Sequence, residues 1–86
     1  MVDTKGFKVW LHANTKYSEK VICDIVSRLR RVDNIQPWSN EEIYQFNLEH
    51  NKQFAEFSVF VRSQCKRAVK LYAQYVKEES QGGGRI

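Results

Sequence analysis

A chain of 86 residues bounds the answer to one small domain. Hydrophobic residues make up 42% of it and aromatics 13%, so bulky rings can fill a core that chain length alone would leave thin. One Pro and four Gly argue against a turn-rich β sandwich, and no apolar run approaches the roughly 20 residues of a membrane span.

Residues 1–8 lack the charged-then-apolar layout of a signal peptide, which gives the expectation of a soluble, cytoplasmic chain, nucleoid-associated if it holds DNA. In chain order, the first predicted helix covers residues 5–13, because Phe7, Trp10 and Leu11 fall at i, i+3 and i+4. The second has the clearest start. Ser18 is placed as its N-cap, and Tyr17 with Ile22 as a hydrophobic staple. Val21, Ile22, Ile25, Val26, Leu29 and Val32 form its apolar stripe, and Asp33-Asn34 is its predicted stop.

The third predicted helix repeats that grammar, with Ser39 and Glu42 as a capping box and Trp38 with Ile43 as a second staple. Its inward face is read as Ile43 and Phe46, flanked by Tyr44 and Leu48, with Glu41 and Glu42 at its positive end. The last helix begins either near Asn51 or at Ser58 after a break at residues 55–57, and it ends near Lys77 or Glu78. The second start is preferred, because Ser58 opens the β-branched pair Val59 and Val61. Val61, Cys65, Ala68, Val69, Tyr72 and Val76 carry its helical period. Residues 1–79 then form one domain and residues 80–86 a flexible Gly-rich tail. The predicted class is all-α, a compact bundle of four helices.

Catalytic constellations do not emerge. There is no GxSxG, HExxH or P-loop motif. Glu41 and Glu42 are adjacent on a helix and point apart. His12 and His50 read as lone residues, and the order His12, Cys23, His50, Cys65 has no zinc-ligand spacing. Both cysteines read as small apolar fillers on helices. The expectation is therefore a non-enzyme with no metal and no cofactor.

The net charge of +4 is distributed in blocks. Residues 1–32 hold seven basic and three acidic side chains, residues 33–56 one and five, residues 57–86 six and two. Two basic segments laid side by side would make one positive face with an acidic back, the footprint of a polyanion binder. In the last helix Arg62, Lys66 and Lys70 recur at i, i+4 and i+8 as a straight cationic ridge, with Ser63, Arg67 and Gln74 on the adjoining strip and Gln64 further round. The second helix brings Ser27, Arg28 and Arg31 near one another, with Arg30 on a different side. Lys and Arg neutralise phosphates, while Arg and Gln also read base edges.

The run from Tyr17 and Ser18 through Ser27-Arg28-Leu29-Arg30-Arg31 resembles the first core helix of the N-terminal core-binding domain of phage-integrase-type tyrosine recombinases. The run Arg67-Ala68-Val69-Lys70-Leu71-Tyr72-Ala73-Gln74-Tyr75-Val76 is similar to that domain's last helix. The resemblance spans residues 7–77. It implies a four-helix, SAM-like bundle that clamps double-stranded DNA on one side through Lys20, Ser27, Arg28, Arg31, Arg62, Lys66, Arg67 and Lys70. The recombinase catalytic domain that follows in the family is absent here, so Tyr72 and Tyr75 read as packing residues and not as its nucleophile. The implied module is a monomer in isolation, with catalysis residing in a separate or missing domain. The alternative reading is a helical protein-interaction or regulatory module, its contact formed by the acidic third helix or by exposed aromatics such as Trp38 and Phe60. A third reading, RNA binding, lacks a legible aromatic platform.

Overall fold

An all-α architecture emerges in the computed structural model, which describes residues 2–39, 41 and 43–83. Five helices follow one another among the described residues: α1 (Thr4–Asn14), α2 (Glu19–Ile35), α3 (Tyr44–Glu49), α4 (Lys52–Ala55) and α5 (Val59–Gly83). The fifth element is the short α4, a single turn that opens after Asn51 and is separated from α5 by residues 56–58, where the sequence predicts a break.

Local chemistry accounts for most of the boundaries. Asp3 caps α1, its Oδ1 accepting from the Gly6 amide at 3.0 Å. Thr15 closes that helix in an extended conformation while its amide and hydroxyl both donate to the Leu11 carbonyl. Ser18 caps α2 through the Val21 amide, as the sequence predicts. The helix continues to Ile35, past the expected stop, because Asp33 turns its side chain to the following segment and accepts from the Trp38 amide at 2.9 Å. Ser58 starts α5 by accepting from the Val61 amide at 3.2 Å. The helix then runs to Gly83, beyond the predicted end near residue 78 and into the stretch read as tail.

The third helix departs most from expectation. Glu42 lies outside the described residues, and Ser39 is not a cap: α3 starts at Tyr44, preceded by Ile43 with no side-chain cap bond. Ile43 and Phe46, expected inward, are 51% and 58% exposed, whereas Tyr44 and Leu48 are buried. The reason is a distant anchor. The Tyr44 hydroxyl donates to the Gln36 carbonyl at 2.6 Å, and that bond turns a helix of six residues so that its Tyr44 face meets the core. Asn51 fixes the next turn, accepting from the Gln53 and Phe54 amides while donating to the Ile35 carbonyl at the end of α2.

Helix α2 packs along α5, and α1 lies against both. Phe7, Leu11, Ile22, Leu29, Val32, Leu48, Cys65 and Ala68 have no exposed surface. Val21, by contrast, is partly exposed, so the working stripe of α2 is Ile22, Ile25, Leu29 and Val32. Cys23 is exposed and not a filler, whereas Cys65 is buried as expected. Aromatic rings close one end of the core: Tyr72 meets Phe7 and Trp38 edge-on, at centroid distances of 5.2 and 4.9 Å. A 25-residue α5 at about 1.5 Å per residue sets the long axis of the molecule, which measures 43 Å.

Candidate nucleic-acid interface

The two basic helices are neighbours. Their packing leaves an open groove between α2 and α5, walled by Val21, Asp24, Ile25 and Arg28 on one side and Phe60, Gln64 and Arg67 on the other. Arg28 and Arg67 thus reach one groove from two helices, a pairing that helical periodicity alone does not reveal. The Arg28 guanidinium is partly sunk in the interface, and its Nε is buried with no hydrogen-bond partner among the described residues. Arg28 and Arg31 both lie close enough to the Cys65 thiol to act on it. Burial pushes that thiol above its ordinary value, and the two cations partly oppose the shift.

Aromatic rings hold two of the cations in place. The Arg31 guanidinium sits 5.4 Å from the Phe57 ring centroid. The Arg67 guanidinium sits 4.8 Å from that of Tyr17 and also donates to the Tyr17 hydroxyl. A guanidinium over an aromatic face keeps its charge and gives up rotamer freedom, which pre-orients it for an anion. Tyr17 therefore does more than staple the start of α2.

The Arg62, Lys66, Lys70 ridge faces differently. Arg62 and Lys66 line a second groove with Ser63, Val59, Phe54 and Glu49. Lys66 Nζ lies 3.2 Å from Glu49 Oε1. The acidic third helix therefore stands beside the ridge instead of forming the back of the molecule, and part of the ridge charge is balanced in place. Lys20, Ser27 and Lys70 are exposed but line neither groove. Among the described residues, Lys20, Arg28, Arg31, Arg62, Arg67 and Lys70 have no carboxylate within ion-pair distance.

A separate cluster forms where α1 meets α2. Glu19 receives Lys8 at 3.2 Å and His12 at 3.1 Å, and Cys23 donates to it at 3.4 Å. His12 is thus not a lone residue. The hydrogen bond from Lys8 is the main reason that the Glu19 carboxyl is held below its usual range. This neutralises part of the N-terminal basic block away from the α2–α5 groove.

Sequence reasoning named Arg28 and Arg67 but not their shared groove, and it missed Asp24 and Tyr17 as neighbours of those cations. Phe60 is exposed, as expected from the sequence, but its place on one helical face with Gln64 and Arg67, at i, i+4 and i+7, was the signal left unread. Trp38, named as an exposed aromatic, is instead packed against Tyr44 and Tyr72. No helix of the described residues is long and apolar enough to cross a membrane. Compared with family models, curated proteins and solved structures, the chain finds no match in any of the three.

Proposed function

We propose that this domain binds double-stranded DNA through the face formed by α2 and α5, in the manner of an integrase-like, SAM-like core-binding domain, and that it carries no catalysis itself. The observation that carries the reading is the convergence of Arg28 and Arg67 on one groove, with Arg31 held over Phe57 one turn further along α2 and no carboxylate paired to any of the three among the described residues. Lys20 and the Ser27 hydroxyl on α2 add contacts beside the groove, and Arg62, Lys66 and Lys70 on α5 form a second cationic strip, in which Lys66 is paired with Glu49. Such a surface neutralises backbone phosphates and releases counterions, so affinity falls steeply with salt. Isolated and monomeric, with few phosphate contacts, the domain binds in the non-specific range of about 10⁻⁴ to 10⁻⁶ M. Sequence choice and chemistry then belong to a separate catalytic domain.

An NMR titration of the labelled domain with a short random duplex at two salt concentrations tests this. Shifts confined to residues 28–31 and 62–70 that shrink at high salt support it; no shifts at low salt overturn it. A second reading, docking of a protein partner, draws support from the exposed Ile43, which precedes α3, and the exposed Phe46 on it. It requires salt-tolerant association at that face.

A further inference from the structure

The α2–α5 groove is not purely cationic. Phe60 stands on its wall with 65% of its surface exposed, and Val21 and Ile25 line the opposite side. A groove that serves only phosphates needs no exposed ring, and a phenyl ring left in water forgoes a substantial burial free energy. Around Phe60 the groove presents Arg28 and Arg67, two cations from different helices, and the Gln64 amide one turn along α5. An aromatic face, flanking cations and an amide able to donate and accept together match one ligand chemistry: a nucleobase with its face free and phosphates on either side. Bases inside a blunt duplex offer no such face, because each is already stacked on its neighbours.

We propose that Phe60 is a stacking platform for an unpaired base, so that this domain prefers DNA with a single-stranded end or gap over continuous duplex. The inference rests on the DNA-binding reading above and narrows its substrate. Charge complementarity chooses the occupant. Arg28 and Arg67 outnumber Asp24, which leaves the groove suited to a polyanion, whereas a purely apolar helix would bury both guanidinium groups without a counter-charge.

Fluorescence anisotropy decides it, using three labelled probes: a blunt duplex, the same duplex with a single-stranded overhang, and the overhang strand alone. The expected result is tighter binding of the overhang duplex than of the blunt one. Phe60→Ala lowers affinity for the overhang duplex and the single strand by about 5- to 150-fold and weakens blunt-duplex binding far less. Phe60→Trp restores the preference. Exposure of Phe60 means that both variants keep the helical circular dichroism and melting transition of the parent. Equal affinity for blunt and overhang probes, or an equal loss on both with Phe60→Ala, overturns the stacking role while duplex binding stands. Binding to none of the three probes at low salt overturns the DNA reading itself.

Discussion

The Tyr75 hydroxyl donates to Asp3 Oδ2 at 2.9 Å, joining the first turn of the fold to its last helix across 72 positions of sequence. The other Asp3 oxygen caps α1, and the Asp3 amide donates to the Tyr72 hydroxyl at 2.8 Å. One residue therefore fixes both the start of α1 and its docking on α5. Gly6 lies in the same corner, where a Cβ would collide with the Tyr75 hydroxyl and the Asp3 carboxylate. Gly6→Ala sets two effects against each other. Alanine favours the helix by about 1 kcal/mol, while the added methyl displaces the cap and the tyrosine bond. The second effect prevails, because both contacts lie on the side where the methyl projects. The expected outcome is a lower denaturant midpoint for Gly6→Ala, measured by urea unfolding. A raised midpoint would show that the Asp3 corner contributes little.

The same corner makes stability depend on pH at both extremes. The Gly6 amide first, and then the Tyr75 hydroxyl, hold the Asp3 carboxyl below its ordinary 3.8. Its contribution is present above the unfolded pKa and is lost as pH falls through the lowered folded value. Tyr75 is pushed up to about 12, by burial and then by its bond to Asp3. Tyr44 is pushed up to about 12, by burial and then by the charge of Asp33. Both tyrosines contribute stability that is complete below their ordinary value of 10.0 and is lost as pH rises toward 12. Urea midpoints measured across pH should therefore fall on both limbs. Asp3→Asn should remove part of the acid limb, and Tyr44→Phe should soften the alkaline one.

Core rings and surface rings separate cleanly on truncation. Phe7 is fully buried and Tyr72 nearly so, and the two meet edge-on. Phe7→Ala and Tyr72→Ala should each cost about 3–5 kcal/mol by chemical denaturation. Phe46→Ala, at an exposed position stacked on His50, should stay within about 0.5 kcal/mol of the parent. A large loss at Phe46 would mean that α3 packs on its other face.

These contrasts also mark what the amino-acid order makes legible. Ser18 and Ser58 could be read as caps because a cap is decided within three residues, and Phe7, Trp10 and Leu11 because one helical face decides them. The all-helical class follows from the same local signals. The inward face of α3 was not legible: a six-residue helix has too few periods to define a stripe, and the Tyr44 bond to Gln36 settles its rotation from outside. The Asp3 corner was hidden for the same reason, since its partners are two tyrosines at the far end of the chain. At the candidate interface, residue type pointed to the cations, but only the packing of α2 on α5 joins Arg28 to Arg67, and only the placement of the end of α3 beside α5 brings Glu49 to Lys66.

That last pair yields a prediction in which the acidic partner limits binding. Lys66 must leave Glu49 to reach a phosphate. The pair is half-exposed, so separating it costs only about 0–1 kcal/mol. Glu49 nonetheless places a negative charge beside any phosphate that docks on the Arg62, Lys66, Lys70 ridge. Glu49→Gln should therefore tighten duplex binding at low salt by a few-fold and leave the melting temperature nearly unchanged. Lys66→Gln should weaken binding and reduce the slope of log affinity against log salt by about 0.9, the value for one lost phosphate contact on B-DNA. In the Glu49→Gln, Lys66→Gln double variant the gain should shrink, because the freed ammonium is then missing. Titrations of the four proteins against one duplex over a salt series measure all three effects. If neither single substitution moves affinity or slope, the ridge does not touch the DNA, and the interface contracts to the groove between Arg28 and Arg67.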